Sequence, residues 1–523
     1  MKILYILILF LMFVILVPQL ANAQVGRVYF GSQQPQITTF GNNMSITWQY
    51  WNPELVINQV TSNDDGTTLS GKIILMKNNT VLFPSNVRDS KNDIYYAWWN
   101  YSIPFTPRLF LTKSSDNGII IGNPVLVVSH DNHPNESVEL ENLFASGKNV
   151  YAIWSTYREV GSTDFGTIFL SKSMDDGETF DSPIAINAPD TSWYGLETVT
   201  SENKTYFMWQ SLVPQSCILG QCKSQIHTRS MDDNGTMNEI SNTTIQGNIS
   251  QAKIAASGND VYITGVIFEP NSTSTMTSGL KTYLPSISSQ WVFFSKSSDG
   301  GNTFGEMKNL SGSSFYCIPS NLNYQCNLGS ANSYISGDHV YTIWDESDYA
   351  DNTIKAFLVT STDNGSTFGK ILQLEPYGFD DMMCPTLDQC ISVQLPPESP
   401  NAVYLTWATT NFKWTSAGHI IFAKSTDGGK TLDYLDVTNS TGIELSPVVA
   451  LGPNNVVYLA GLRPGFEEGN HALFSKSNDG GNSFSNATDL DMLQEASVPE
   501  FPMTSIILVV SIASMIVFHR SRF

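Results

Sequence analysis

The stretch SKSSDGGNTF, residues 295–304, decides the fold because it recurs. SKSMDDGETF begins at Ser171, STDNGSTF at Ser361, AKSTDGGKTL at Ala423 and SKSNDGGNSF at Ser475. Reduced to S-x-D-x-G-x-[TS]-[FL], the pattern starts at Ser62, Ser173, Ser297, Ser361, Ser425 and Ser477. Two copies are degraded: the one at Ser114 keeps Asp116 and Gly118, and the one at Ser230 inserts a residue between Asp232 and Gly235. Successive copies lie 52 to 67 residues apart, room for one small sheet per copy.

Each copy sits in a longer recurring phrase. The last unit runs PVVALGPNN, VVYLAG, HALFSKS, the turn, then SFSNATDL. Its second segment returns as IYYAWW (94–99), VYAIW (150–154), VYTIW (340–344) and VYLTW (403–407), and its third as RLFLTKS, TIFLSKS, WVFFSKS and HIIFAKS. β-branched and aromatic residues, closely spaced turn signals and no helical period make this an all-β chain. Four strands repeated at this period predict a single β-propeller of four-stranded antiparallel blades over residues 24–490. Eight units predict eight blades, or seven if the weakly patterned unit 36–75 is a cap.

The turn chemistry suits a tight hairpin. An Asp carboxylate accepts N–H bonds inside its own turn, and Gly takes φ > 0 without steric cost. The pairs Asp64 and Gly66, Asp116 and Gly118, Asp175 and Gly177, Asp232 and Gly235, Asp299 and Gly301, Asp363 and Gly365, Asp427 and Gly429, and Asp479 and Gly481 are therefore expected to be structural.

The chain ends belong to other classes of segment. Lys2, the apolar run 3–17 and Ala21-Asn22-Ala23 read as a signal helix cleaved before Gln24 (1–23). At the far end a linker, 491–502, leads to an uncharged span, 503–519, and a basic tail, 520–523. The span reads as a transmembrane anchor or sorting helix with its basic end in the cytoplasm. The chain is thus expected on the outer face of the cell membrane. Without Lys2, Arg520 and Arg522, 24 basic residues face 48 acidic ones, which excludes nucleic acid as a partner.

The S-x-D-x-G-x-T-F hairpin resembles the Asp-box (BNR repeat) of sialidases and of other propellers, including sortilin-like and photosystem-assembly families, over residues 36–490. The order VPEFP, apolar stretch, basic end resembles the PEF-type sorting tails of archaeal surface proteins. The sialidase likeness implies three arginines gripping a carboxylate, one of them in an Arg-Ile-Pro motif, an Asp as acid/base and a Tyr paired with Glu as nucleophile. This chain has no such tripeptide; Gly26-Arg27-Val28 is the nearest N-terminal arginine. The residues left to fill those roles are Arg88, Arg158 and Arg463, with Tyr194 and Glu197 as the Tyr/Glu couple. The resemblance implies glycan-related work without supplying a site, and with the chain ends it leads to the expectation of an exported, anchored, non-catalytic binding or scaffold protein towards an envelope glycan or protein. The alternative is a divergent exo-glycosidase acting on acidic sugars.

Propeller topology assigns the irregular loops to the rim opposite the turns. Three close cysteine pairs, Cys217–Cys222, Cys317–Cys326 and Cys384–Cys390, read as local disulfides of an exported chain. The same rim is expected to carry the insertion 268–290, His130 and His133, and the acidic loop with Asp345, Asp348 and Asp351, a weak oxygen-ligand set for Ca²⁺. No other cofactor is implied. Thirteen N-x-[ST] sequons fit a glycosylated surface protein.

Overall fold

The computed structural model describes residues 31–495 apart from short breaks and the loops 101–105, 130–136, 214–222, 271–287, 376–390, 410–418 and 464–469. Several sequence expectations fall outside the described residues: the signal segment, the span 503–519 and its tail, the disulfides, His130 and His133, and the side chains of Asp348 and Asp351. Among the described residues no helix is long and apolar enough to cross a membrane.

The strands pair antiparallel in chain order. Four sheets have four strands each, for example Val81–Arg88, Ile94–Asn100, Arg108–Ser114 and Val125–Ser129, and two have five. A nine-stranded sheet joins two such units through Ser241–Ser257, whose first part pairs with Ser224–Asp232 and whose second part pairs with Asp260–Pro270. The first strands of neighbouring units touch, as Val81–Arg88 does Ser137–Ser146 and Ser241–Ser257 does Leu328–Ser336. The first strand Gln36–Phe40 touches the last unit's Leu445–Leu451, so the series closes on itself. An antiparallel four-stranded unit repeated around a closed ring is a β-propeller.

Apolar residues fill the seams between consecutive sheets. Tyr341, Ile343 and Leu358 pack on Val403, Leu405 and Trp407 of the next sheet, while Met44, Ile46 and Trp48 pack on Tyr458, Leu462 and Phe474 across the closure. Trp48, Trp98, Trp99, Trp344 and Trp407 are fully buried. An aromatic side chain buries about 150–250 Å²; at ~25 cal/mol/Å² that is roughly 4–6 kcal/mol before entropy is counted. Single hydrogen bonds contribute about 1 kcal/mol net. The seams therefore hold the ring, and the polar groups set its register.

The recurring turns supply that register. In the copy from Ser297, Ser297 Oγ donates to Asp299 Oδ1 at 2.7 Å and accepts the Gly301 N–H at 2.9 Å. Asp299 in turn accepts the Thr303 N–H at 2.9 Å and the Thr303 hydroxyl at 2.6 Å. The same set recurs from Ser62, Ser173, Ser361, Ser425 and Ser477. In the degraded copy at Ser230 the inserted residue changes the pattern, and Gly235 donates to the Asp232 carbonyl at 2.7 Å.

Two further contacts are absent from the hairpin reading. In the six intact copies the residue before the motif glycine donates its N–H to the first-to-second-strand hairpin of its own sheet: Asp65 to Asn42 O, Asp176 to Lys148 O, Gly300 to Asn259 O, Asn364 to Asp338 O, Gly428 to Asn401 O and Gly480 to Asn455 O. Three of the lysines just before the motif serine also reach the next sheet's turn. Lys172 Nζ donates to Asn234 O at 2.6 Å, Lys424 Nζ to Asn482 Oδ1 at 2.6 Å, and Lys476 Nζ to Asp65 O at 3.0 Å across the closure. The tyrosines of the VYxxW strands add parallel links, Tyr151 Oη to Asp233 O at 3.0 Å and Tyr341 Oη to Pro400 O at 2.7 Å.

The chain beyond residue 490 still contacts the first sheet. The Lys72 N–H donates to Gln494 O at 2.8 Å, Lys72 Nζ to Asp491 O at 3.2 Å, and Lys72 forms a parallel bridge with Glu495. Residues 491–495 thus add to the closing seam. The unit 36–75 is a full sheet on that seam.

Candidate functional site

The turn contacts orient the molecule. First-to-second hairpins and S-x-D-x-G turns share one rim, so second-to-third loops lie on the other, and the first strands line the axis between them.

Six first strands carry a register shift in the half remote from the turns: between Leu82 and Ser85, Leu140 and Asn142, Tyr194 and Glu197, Ser250 and Lys253, Leu328 and Ala331, and Leu445 and Val448. A bulge bends its strand and frees a backbone N–H. Side chains take up these donors. Gln210 Oε1 accepts the Ala252 N–H at 3.1 Å, Gln290 Oε1 accepts Leu328 at 2.8 Å, and Asp345 Oδ1 accepts Ser330 at 2.9 Å. Gln210 and Gln290 are both buried and come from the preceding unit.

Uncharged polar groups bridge the first strands around the axis. Asn86 Nδ2 donates to Gln36 Oε1 at 3.1 Å and to Thr47 Oγ1 at 2.9 Å, and Asn142 Nδ2 donates to Thr198 Oγ1. Thr39 Oγ1 donates to Leu451 O of the last unit's first strand at 3.1 Å; Ser333 shares a hydroxyl bond with Thr264 on the preceding sheet's second strand at 2.6 Å, and Asn332 Nδ2 donates to Tyr334 Oη within its own strand at 3.3 Å.

Of the residues selected from sequence, the Tyr194 and Glu197 couple does share one face. Three positions apart on an unbroken strand they would face opposite ways, but the bulge pairs Tyr194 with Gln210 and Glu197 with Met208, two residues apart on the neighbour. Glu197 is not a free nucleophile, since Lys253 Nζ on the next first strand lies 2.7 Å from its Oε1.

The three arginine candidates do not stand together. Arg88 pairs with Ile94, which pairs with Ser114, so it stands at the turn rim. Its Nε donates to Thr38 Oγ1 at 3.4 Å and its Nη1 to Asn92 Oδ1, and burial lowers its pKa to about 10. Arg158 pairs with Phe165 and Arg463 with His471, both at the loop rim. The seven-residue strand Ile94–Asn100 spans about 20 Å at ~3.3 Å per residue, which separates the two rims. Arg463 Nη2 donates to Asp489 Oδ2 at 2.9 Å on its sheet's fourth strand, away from the axis.

Of the acidic loop only Asp345 is described in full: its Oδ1 accepts the Ser330 N–H at 2.9 Å, and its carboxylate lies 2.1 Å from where a Cβ on Gly329 would stand. His471, Asp489 and Asp491 place ligand-type atoms within 4.8 Å of one another. Their oxygens are engaged: Asp489 accepts Arg463 Nη2 and the Asp491 N–H and lies 3.1 Å from His471 Nδ1, and Asp491 accepts Trp48 Nε1 at 2.9 Å and the Ala472 N–H at 2.8 Å. The group is a polar lock on the closing seam.

Sequence reasoning missed Glu141. It is the extra residue of the bulge in Ser137–Ser146, half-buried, and accepts the Ser155 hydroxyl. Burial pushes its pKa up, and neighbouring Glu139 adds to the shift. Glu346, near the loop end of its strand, is likewise raised by burial and accepts Trp344 Nε1 at 3.1 Å. The signal for Glu141 was present in VELENL, where Glu141-Asn142 interrupts the alternation.

Neither a family model nor a curated protein sequence matches the chain. Among solved structures it is similar to a protein of unknown function from Dyadobacter fermentans, at 14% identity over 76% of this chain and 95% of that one, with a TM-score of 0.36. It is similar to an α-L-arabinanase from Penicillium chrysogenum at 11% identity, 79% and 95% coverage and a TM-score of 0.35. The β-propeller domain of the Trilobed protease from Pyrococcus furiosus matches at 7% identity, 78% and 97% coverage and a TM-score of 0.38.

Proposed function

We propose that the chain is an exported, membrane-anchored propeller of eight Asp-box blades that binds an envelope glycan at the axis and loop rim without cleaving it. Eight blades follow if the nine-stranded sheet is two units sharing Ser241–Ser257. Projection images with seven sectors would remove that count. The observation carrying the binding reading is the polar lining of the first strands, amides and hydroxyls of Asn86, Asn142, Thr198, Asn332 and Tyr334, in which the carboxylate Glu197 is neutralised by Lys253. Such groups match sugar hydroxyls, whereas an acidic sugar needs converging cations. Export and anchoring rest on residues 1–23 and 503–523 of the sequence.

The test is a glycan array probed with residues 24–500, followed by titration of the best ligand against Asn142→Ala and Asn332→Ala. We expect binding of uncharged sugars, weakened about tenfold by each substitution if one ~1.4 kcal/mol contact is lost. An array with no hits, alongside capture of a protein partner at the same rim, would replace the glycan by a protein.

One observation favours the divergent glycosidase: burial raises the pKa of Glu141 above the ordinary carboxylate value, the direction a general acid requires. Release of a nonulosonic acid from a reporter glycoside, lost in Glu141→Gln, would establish hydrolysis and end the non-catalytic reading.

A further inference from the structure

The fold separates the described sequons into open and closed ones. Asn309 stands on the outer strand Lys308–Asn309, Asn439 in the short helix Thr438–Thr441 that follows the outer strand Asp433–Asp436, and Asn486 just before the outer strand Thr488–Asp489; all three are exposed. Asn234 is exposed in a turn, where its Oδ1 accepts the Thr236 N–H at 2.9 Å. In Asn309 the oxygen is likewise engaged, by Ser311 Oγ and the Gly312 N–H at 3.2 Å each. Among the described residues, none of the four Nδ2 groups donates a hydrogen bond.

Asn364 is built the other way. Its Nδ2 donates to Asp260 Oδ2 at 2.6 Å and its Oδ1 accepts Tyr262 Oη, both on the preceding sheet. It is half-buried. A sugar on that nitrogen would displace Asp260 from the seam.

We propose that the folded chain is N-glycosylated at Asn234, Asn309, Asn439 and Asn486 and closed to glycosylation at Asn364, although Asn364-Gly365-Ser366 is an equally good sequon. In the transfer Asn Nδ2 forms a bond to the anomeric carbon of a lipid-phosphate-linked oligosaccharide, the C1–O bond breaks, the phosphate carrier leaves with the electron pair, and the displaced Nδ2 proton passes to a base of the transferase. Three of the four acceptors lie on outer strands or their continuations and the fourth on the turn rim, so none covers the axis.

This inference rests on the export reading, and one sample tests both. The full chain is isolated from its native membranes and its peptides are mapped by mass spectrometry. We expect glycan mass on the four named asparagines and a bare Asn364. Glycan on Asn364, or four bare acceptors, overturns the proposal; the N-terminal peptide of the same sample, starting at Gln24 or not, reports separately on export. As a second readout, Asn439→Gln and Asn486→Gln, whose side chains make no turn contact among the described residues, should each remove one glycan and leave the melting midpoint of the deglycosylated protein unchanged. Asn364→Ala should remove no mass and lower that midpoint, and an unchanged midpoint would also overturn the closed assignment.

Discussion

Every turn except the one at Ser230 spends two consecutive residues in the left-handed region, as Asp176 at φ 60° and Gly177 at 86°, or Asn364 at 58° and Gly365 at 77°. Asp, Asn and Gly tolerate that region, which explains why the residue before the motif glycine is one of these three in every copy. The buried serine is the hub: Ser425→Ala leaves the Gly429 N–H and Asp427 without their shared partner. The expected cost is about 1–3 kcal/mol, read as a lower denaturant midpoint at constant slope. The turn aspartates also make an acid limit. In Asp175, Asp363, Asp427 and Asp479 the hydroxyl four residues on is the largest cause of a pKa lowered to about 2. The folded value lies below the unfolded one, so these carboxylates favour the fold above the ordinary carboxylate pKa. That contribution disappears as pH falls through about 2. Thr431→Val should therefore move the acid-unfolding midpoint to higher pH, and circular dichroism across that range will show whether it does.

Strand positions and types were legible because aromatic and β-branched runs alternate with fixed turns. The first strands were the least legible. Their bulges depend on side chains such as Gln210 and Gln290, which belong to the preceding unit and carry no local signal. Gln290→Leu would bury the Leu328 N–H without a partner, at an expected cost of about 1–3 kcal/mol. Hydrogen exchange should then speed up in Leu328–Ser336 ahead of the other first strands, and uniform exchange would refute the role given to Gln290. The Tyr194 and Glu197 couple was chosen by proximity in sequence, yet it shares a face only because of the bulge.

Around the ring, one seam differs from the rest: no consecutive stretch of chain crosses from the last sheet to the first. It is closed by Trp48 on Asp491, Lys476 on Asp65, residues 494–495 beside Lys72, and the apolar packing of Trp48, Tyr458 and Phe474. Losing about 1 kcal/mol there shifts the open-to-closed ratio roughly fivefold. Lys476→Met should raise the unfolding rate by that order, while Lys172→Met, on a seam the chain does cross, should change it less. Equal rates would mean that the closure is not the weak point. The ring also separates what the chain order leaves undecided. Arg88, Arg158 and Arg463 all sit in or beside regular strands, but strand direction sends the first to one rim and the other two to the opposite one.

Local chemistry was enough to establish the repeat, the four-stranded unit, the turn clips and the absence of helical period, since each depends on residues a few positions apart. Which carboxylates meet a cation, which asparagine is shut inside a seam, and which arginines share a rim depended on contacts between sheets. Those contacts join residues tens to hundreds of positions apart, and no pattern along a single strand encodes them.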